Sequence, residues 1–364
     1  MSAPEAIRRG GRKLASAVTR RWPPRSRLFL VGEAVGWSID HDVHELGAIA
    51  GRLGVAVAPP RLLNASRDQA AFYGSQFTLL REPWRPPPHA LATAYFHGRP
   101  GTPGYPEFDH CYQALCAHHE GLARVQVSHE EMRDVVLSSG IDPAKVRLIR
   151  IGVDARLFEQ TAGRKEEARS RLDLPQDAFV VGSFQKDGVG FGEGSVPKLI
   201  KGPDVLLAAL QLLYAQVPQL HVVLSGPARG YVCAGLERLG VPYRHLVARR
   251  YSDLGELYAA LDGYVVPARQ EGGPKGVLEA MASGVPVVTT RVGQAAELVE
   301  DGVNGWLADV EDAEGLARAL VYVARRPPEL TAVVAAGRET ARANSYDAQV
   351  PHWRDFFDGF VERA

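Results

Sequence analysis

The chain has 364 residues, too many for one ordinary domain of roughly 150 residues, so we expect two domains. Lys and Arg together number 42, as do Asp and Glu, which excludes the global basic field of a nucleic-acid-binding protein; we expect no nucleic acid among its partners. Three cysteines are too few for a disulfide framework and no apolar run approaches the ~20 residues that span a bilayer, which favours a cytoplasmic protein.

Residues 1–27 form a basic N-terminal extension, with eight Lys or Arg side chains against one acid, Glu5. Its apolar residues recur at roughly helical spacing, so one interpretation is a peripheral anchor on anionic lipid. The alternatives are a solvated tail, the usual state of a block of like charges, and an Arg-rich targeting peptide. The sequence leaves these three interpretations open.

Strand and helix patterns alternate through the first half of the chain. There we predict strands over 28–31, 55–58, 91–96 and 125–127 and a helix over 41–53. Short apolar runs closed by Gly or Pro, such as the run that ends before Gly32, are typical of buried strands.

The alternation restarts after a charged stretch over 161–171, which we interpret as the edge of a linker. The second half is predicted to contain strands over 179–181, 221–224, 264–266 and 285–289 and helices over 203–216, 253–261 and 275–283. Alternating buried strands and helices predict an α/β fold with parallel sheets covered on both faces. We therefore predict two Rossmann-like, doubly wound domains, 28–160 and 170–345.

Ligands of open α/β sheets bind beyond the carboxyl ends of the strands. If the two predicted domains face each other, both of these edges line one central cleft. Such a cleft suits an enzyme that acts on two substrates, one held by each domain.

The segment from Val266 to Gly284, VPARQEGGPKGVLEAMASG, carries two acids eight positions apart. A strand is predicted to end near Val266, a turn carries Glu271, and a helix that begins near Lys275 carries Glu279. Free N–H groups at the helix start favour an anion, and Glu279 can accept two hydrogen bonds from a vicinal diol such as that of ribose.

Three glycines of this segment, Gly272, Gly273 and Gly276, allow the backbone to approach a ligand closely. The alternative interpretation is a glycine-rich loop followed by a surface helix with an incidental acid. Residue chemistry alone leaves both interpretations open.

The segment resembles the E-x7-E signature of retaining nucleotide-sugar glycosyltransferases of GT-B architecture, the group 1 or family 4 type. The similarity covers most of residues 146–310. It continues in the same order through Arg147–Phe158, Lys201–Asp204, Tyr251–Leu254, Pro286–Thr289 and Gly302–Leu307. The N-terminal half is only loosely similar, which is expected of a domain that binds a variable acceptor.

The resemblance implies that Glu279 holds the donor ribose and that Glu271 lies near the transferred sugar. It implies that the domain over 170–345 binds the nucleotide sugar and the domain over 28–160 the acceptor, across the central cleft. The backbone expected to face the sugar or the phosphates is that of Gly272, Gly273, Pro274, Lys275 and Gly276, of which Pro274 has no N–H to donate.

Members of this family also place a basic pair on the diphosphate, from a G-R motif and a K-G motif. The K-G motif is Lys201-Gly202, but the arginine position, after Gly182, is Ser183. Lys186 could supply the missing charge, without the planar fork of an arginine. A Gly-rich insertion over 187–195 separates the two elements and is interpreted either as a cover for the donor or as a surface loop.

The implied chemistry is the departure of a nucleoside diphosphate whose growing charge Lys201 and Lys186 stabilise. In the front-face mechanism that the resemblance implies, a phosphate oxygen deprotonates the acceptor, so no protein nucleophile is needed. His97, at the carboxyl end of a predicted strand, matches a family histidine that faces the donor sugar; the alternative is a histidine without function. Glu271, His97 and Lys201 are thus the candidates at the reacting centre.

Two segments have the residue types of a metal site but not its arrangement. Asp40-His41-Asp42 precedes a predicted helix, where an N-cap is the simpler explanation, and the group His110, Cys111, Cys116, His118 and His119 is divided between helix faces. We predict no metal and no cofactor. The loop over 32–36 with Trp37 resembles the family's Gly-rich loop near donor phosphate or acceptor.

The leading hypothesis is transfer of a hexosyl unit, with retention, to a hydroxyl of a glycan, a lipid-linked or a small-molecule acceptor. A nucleotide-sugar epimerase on the same plan does not explain the K-G and E-x7-E pair. A degenerate protein that only binds nucleotide sugar is the alternative, motivated by Ser183. In this architecture the aromatic-rich C-terminal helix, 346–362, packs back on the N-terminal domain; otherwise it closes the second domain.

Overall fold

The computed structural model describes residues 21–36, 38–159, 164–190 and 192–362, so most of the predicted basic extension and Trp37 lie outside the described residues. Within these ranges, no helix has the length and apolar character needed to cross a membrane. The chain divides into two compact units, unit 1 (Met1–Ile149 with Gln349–Ala364) and unit 2 (Arg150–Ala348). The boundary between the units, after Ile149, therefore lies before residue 160, where the sequence predicted the first domain to end.

Unit 1 is built on a six-stranded, wholly parallel sheet of order β2-β1-β3-β4-β5-β6. Its strands are β1 (Leu28–Val31), β2 (Val57–Ala58), β3 (Ala70–Tyr73), β4 (Ala90–Tyr95), β5 (Leu122–Val127) and β6 (Val146–Leu148). Its helices are α1 (Ser38–Arg52), α2 (Gln76–Leu79), α3 (Pro106–His118) and α4 (Glu130–Leu137). Apolar side chains of the strands, such as Phe29 and Val125, are fully buried under these helices.

Unit 2 contains a second six-stranded parallel sheet, of order β12-β11-β10-β7-β8-β9. Its strands are β7 (Phe179–Ser183), β8 (Leu220–Leu224), β9 (Tyr243–His245), β10 (Gly263–Val266), β11 (Val287–Thr290) and β12 (Trp306–Ala308). Its helices are α5 (Ala155–Glu159), α6 (Lys165–Arg171), α7 (Pro203–Gln216), α8 (Gly230–Leu239), α9 (Leu254–Ala259), α10 (Lys275–Ser283), α11 (Ala295–Leu298), α12 (Ala313–Ala324) and α13 (Leu330–Ala343). The strand order is that of a Rossmann sheet, and the direction of winding reverses between β7 and β10.

The last helix, α14 (Tyr346–Phe357), begins in unit 2, and the chain from Gln349 belongs to unit 1. The rings of Trp353 and Phe356 meet Phe72 of β3 edge-on, with centroids 5.6 and 5.7 Å away. Edge-to-face aromatic pairs of this kind add to the free energy gained by burial. The aromatic residues of the C-terminal segment therefore form part of the core of unit 1.

The glycine of the K-G motif is required by the backbone. Gly202 precedes α7 with a φ of +64°, and a Cβ there would lie 1.9 Å from the carbonyl oxygen of Pro267. The left-handed conformation and this close approach both exclude a side chain. Gly202 thereby allows Lys201 to lie against the loop that follows β10.

We expect Gly202→Ala to lower the free energy of unfolding by about 3 kcal/mol, from left-handed strain and overpacking together. Gly240→Ala is the matched control, because Gly240 has a φ of +66° but no described atom lies within 4 Å of the place that a Cβ would take. Gly240→Ala should lower the free energy of unfolding only by the left-handed strain, about 1–2 kcal/mol. Urea unfolding of both variants measures the difference, and equal losses would contradict the collision with Pro267.

Candidate functional site

The candidate site lies in unit 2 at the point where the winding of its sheet reverses. Ser183 ends β7, and the loop after β10 carries Glu271 to the start of α10 at Lys275. Since β7 and β10 are parallel neighbours, their carboxyl ends lie side by side. This is where open α/β sheets bind their ligands.

Lys201 and Glu271 form the central ion pair of this site. The ammonium Nζ of Lys201 lies 2.5 Å from Oε1 of Glu271, and the two side chains are 19% and 11% exposed. Two backbone amides of the loop after β10, those of Arg269 and Gln270, donate to the carbonyl oxygen of Ile200. The K-G motif and the first acid of E-x7-E are thus joined by both backbone and side-chain contacts.

The side chain of Glu279 is buried. It is 5% exposed, and its Oε1 and Oε2 accept hydrogen bonds from the hydroxyls of Tyr251 and Tyr258 at 2.5 and 2.8 Å. Burial, and next the charge of Glu279, raises the pKa of Tyr258 well above its ordinary value, so its hydroxyl remains a donor. Each carboxylate oxygen has two acceptor positions, so a carboxylate can accept hydrogen bonds from several donors at once.

The side chain of Lys275 points into the interior of unit 2. It is 9% exposed, its ammonium donates to the hydroxyl of Tyr346 at 2.6 Å, and it lies 5.3 and 5.2 Å from the ring centroids of Tyr251 and Tyr346. Two aromatic faces around one cation form a cation–π site. The ammonium of Lys275 is therefore engaged by partners within unit 2.

The glycines of the motif make room for neighbouring side chains. A Cβ at Gly276 would lie 2.2 Å from the hydroxyl oxygen of Tyr264, and one at Gly273 would lie 2.7 Å from Cδ of Gln294. The carbonyl of Gly272 accepts from the amide of Gln294 at 2.9 Å, and Pro274 is the N-cap residue of α10. Packing alone thus explains why two of these three glycines have no side chain.

The position where the resemblance places an arginine is closed to solvent. Ser183 is 1% exposed, and its carbonyl accepts a hydrogen bond from Nη1 of Arg229 at 2.5 Å. The preceding Gly182 packs against Leu261, whose Cδ1 would lie 2.3 Å from a Cβ. Lys186 is half-buried, and this burial lowers the pKa of its ammonium.

His97 belongs to unit 1, two residues beyond β4. Its ring lies among those of Phe77, Phe96 and Phe108, at centroid distances of 5.4, 4.8 and 5.3 Å. Its carbonyl accepts from the side-chain amide of Gln76. The structure thus gives His97 an aromatic, half-buried environment at the carboxyl end of the first sheet.

The loop after β1 is organised around a carboxylate of the protein itself. The two oxygens of Asp40 accept four backbone N–H groups, from Glu33, Ala34, Val35 and Gly36, at 2.7–3.0 Å. Burial alone would raise the pKa of Asp40, but these four hydrogen bonds outweigh it and lower the pKa. The loop that resembles the family's Gly-rich loop near donor phosphate or acceptor therefore already holds an anion, the carboxylate of Asp40.

We expect Asp40→Asn to destabilise unit 1 at neutral pH, because an amide offers one acceptor oxygen where the carboxylate offers two. A lowered native pKa stabilises the fold above the unfolded pKa, near 3.8, and this contribution is lost as the pH falls through the native pKa. The stability difference from wild type should therefore shrink below about pH 4. Denaturant unfolding across pH measures it; Ser38→Ala, which removes no titrating group, should show a constant difference.

The metal-like segments do not come together. Among the described residues, no group of three or more His, Cys, Asp or Glu side chains is placed to hold a metal ion. Cys111 is buried in the core, where desolvation raises the pKa of its thiol to about 12, whereas Cys116 is exposed. His118 stacks on Trp84, with ring centroids 4.8 Å apart.

Sequence reasoning missed two groups that shape the site. Tyr251 and Tyr258 bind the carboxylate of Glu279, and their spacing of seven, beginning in the Tyr251–Leu254 match, was the available signal. Arg229 and Asp187 form a buried ion pair that no local pattern marks.

Comparison with known proteins gives three findings. Residues 192–326 match the sequence model of the family described as Glycosyl transferases group 1. The D-inositol 3-phosphate glycosyltransferase of Thermomonospora curvata is 31% identical over 253 residues, 63% of this chain and 55% of that protein. That of Saccharomonospora viridis is 34% identical over 239 residues, 60% of this chain and 52% of that protein. The chain thus spans about half the length of the curated relatives it matches.

Solved structures share the fold at low sequence identity. The Anabaena protein Alr3699/HepE in complex with UDP-glucose has a TM-score of 0.72 and 17% identity, over 92% of this chain and 99% of that one. Sucrose-phosphate synthase from Thermosynechococcus elongatus has a TM-score of 0.63 and 20% identity, over 79% and 73%. The predicted α/β fold of GT-B type, with two Rossmann-like parallel sheets, is confirmed. The family match, which covers residues 192–326, is to glycosyl transferases of group 1 and is independent of this likeness in fold.

Proposed function

We propose that the protein transfers a hexosyl unit from a nucleoside-diphosphate sugar to an acceptor hydroxyl, with retention of the anomeric configuration. The observation that carries this proposal is the Lys201–Glu271 pair at the winding reversal of unit 2, beside the first turn of α10. Both residues fall within the region that matches the group 1 family. The names of the curated relatives support the same class of reaction.

The donor diphosphate is proposed to bind between the lysines and the start of α10. Lys201 and Lys186 supply positive charge, and the start of α10 adds the positive end of the helix dipole. Glu279 takes the ribose diol after the hydroxyl of Tyr251 moves away from Oε1, which releases an acceptor position on that oxygen. The UDP-glucose in the Anabaena complex supports a nucleoside diphosphate as the donor's leaving group.

In the proposed reaction, the bond from the anomeric carbon to the diphosphate oxygen breaks while the acceptor oxygen attacks the same face. The departing phosphate oxygen receives the proton of the acceptor hydroxyl. Lys201 stabilises the charge that develops on the diphosphate, which is the largest contribution expected of such a site. Glu271 orients Lys201 and the sugar and forms no covalent bond.

The acceptor is proposed to bind to unit 1, at the carboxyl end of the first sheet, where His97 lies. A glycan, a lipid-linked saccharide or a small hydroxylated molecule fits this role, and the relatives named for inositol 3-phosphate favour the last. We propose a cytoplasmic location and, through residues 1–27, peripheral contact with an anionic membrane. Neither a metal nor a cofactor enters the proposed reaction, since lysines and helix amides take the charge.

A degenerate protein that binds nucleotide sugar without turnover is the second candidate. The buried Ser183 favours it, because the guanidinium that the family directs at the diphosphate is missing from that position. Release of nucleoside diphosphate from radiolabelled donor distinguishes the two. Turnover in wild type that falls about 100-fold in Glu271→Gln supports the transferase, and binding without turnover in wild type supports the degenerate protein.

We expect Lys201→Met to weaken binding of the nucleoside diphosphate about tenfold, because one charge-assisted contact is lost. Glu271→Gln should bind it at least as well as wild type, since Lys201 is released from its partner, yet turn over donor about 100-fold more slowly. Titration calorimetry with UDP and GDP, and release of labelled diphosphate, measure the two effects.

The matched control for this experiment is Lys165→Met. Lys165 also forms an ion pair in unit 2, with Oδ1 of Asp262 at 2.8 Å, but Asp262 precedes β10 and so lies at the opposite edge of the sheet. Its loss should leave nucleotide affinity unchanged. A decrease equal to that of Lys201→Met would refute the placement of the diphosphate.

The base of the donor can be identified by thermal shift across UDP-, GDP- and ADP-sugars. A ligand that binds only the native state at 100 times its dissociation constant adds about 2.7 kcal/mol of stability, which raises the melting temperature by several degrees. We expect one base to give this shift in wild type and a smaller shift in Glu279→Gln. An undiminished shift in that variant would contradict the ribose role of Glu279.

A further inference from the structure

A second ion pair lies beside the candidate site, and the proposed reaction does not use it. The guanidinium Nε of Arg229 lies 3.0 Å from Oδ1 of Asp187, and both side chains are fully buried. Burial raises the pKa of Asp187 while the charge of Arg229 opposes this rise. Buried ion pairs add little net stability, because removing two charges from water costs about as much as their attraction returns.

Arg229 ties together three parts of unit 2. Its Nη1 donates to the carbonyl oxygens of Ser183, at the end of β7, and of Ser225, just beyond β8, at 2.5 and 2.9 Å. Its Nε pairs with Asp187, the first residue of the Gly-rich insertion. One guanidinium therefore holds both ends of the turn that runs from Ser183 to Asp187.

The residues inside this turn reach the proposed donor site. The amide of Phe184 donates to the hydroxyl of Tyr264 at 3.2 Å, and the side-chain amide of Gln185 donates to the carbonyl oxygen of Lys201 at 2.8 Å. Lys186 is the next residue. The turn thus carries one of the two proposed diphosphate lysines and contacts the backbone of the other.

The insertion that follows is packed onto the same unit. Glu193 and Gly194 accept hydrogen bonds through their carbonyls from the amides of Gly230 and Tyr231, at the start of α8, at 2.7 and 3.0 Å. A Cβ at Gly194 would lie 2.2 Å from the carbonyl oxygen of Ala228. These contacts join the described part of the insertion to the helix that Arg229 precedes.

We propose that the Asp187–Arg229 pair is a positioning element of the donor site, which fixes the turn over 183–187 so that Lys186 and Lys201 face the diphosphate. Because Arg229 is fully buried, it acts through this turn and makes no contact with the donor. The proposal rests on the proposed function in that it assigns the lysines to the diphosphate. It also explains how the chain accommodates Ser183: a guanidinium from another element holds the carbonyl of that residue.

Unit 2 offers a matched control pair at the opposite edge of its sheet. Nη2 of Arg169 lies 2.5 Å from Oδ2 of Asp262, with the two side chains 2% and 6% exposed. Asp187→Asn and Asp262→Asn each remove one buried carboxylate charge beside a buried arginine. Both should lower the melting temperature, because each leaves a guanidinium without its counter-charge.

Only Asp187→Asn is expected to affect the proposed donor site. It should weaken binding of UDP or GDP about tenfold at a temperature at which both variants are folded, and speed hydrogen exchange of the backbone amides over 184–190. In its background, Lys186→Met should cost less affinity than in wild type, whereas in the Asp262→Asn background the full loss should remain. Such non-additivity is expected only of residues that act on one another.

Two further measurements distinguish failure of the positioning role from failure of the proposed function. Gln185→Met breaks the link to Lys201 without removing a buried charge, so it should lower nucleotide affinity even if Asp187→Asn does not fold. If hydrogen exchange over 184–190 and nucleotide affinity are the same in Asp187→Asn and Asp262→Asn, the positioning role is wrong. If exchange rises only in Asp187→Asn while wild type binds no nucleoside diphosphate, the pair does fix the turn and the proposed function is wrong.

Discussion

The winding reversal of the second sheet is the constraint on which the candidate site depends. Because β7 and β10 are parallel neighbours, a lysine reached after β7 and an acid reached after β10 come within 2.5 Å although seventy positions separate Lys201 from Glu271. Gly202 makes this approach sterically feasible through its left-handed backbone. The chemistry proposed for the site thus follows from strand order before any individual side chain is considered.

Several charged side chains of unit 2 bind to partners within unit 2 itself. Glu279 is held by two tyrosine hydroxyls, Lys275 by two aromatic faces, and Arg229 by two carbonyls and Asp187. A buried charge with close partners resists rearrangement, because movement away from them leaves it unpaired in a medium of low dielectric constant. These side chains therefore give the carboxyl edge of the sheet a fixed shape, while Lys201 and Glu271 remain partly exposed.

Local patterns predicted the elements that have strong local signals. The helices α7 and α10 begin and end at the predicted residues; α7 has Pro203 at its start, and α10 is closed by the left-handed Gly284. The strands β3, β6, β9 and β12 were missed. Three of them have only three residues, and β3 (Ala70–Tyr73) begins with two alanines, which favour strands little. Their strand conformation comes from pairing with neighbours far along the chain.

By itself, the sequence determined the class of fold, and it predicted the acids and the lysine that form the candidate site. Spacing and residue type carry that information, since E-x7-E and K-G lie within short segments. Only the tertiary structure decided that Ser183 is buried beneath Arg229, that Lys275 turns inward and that Asp40 fills the loop after β1. Burial and partner choice depend on contacts between distant segments, and the free energy of a charge depends on those contacts more than on its neighbours in sequence.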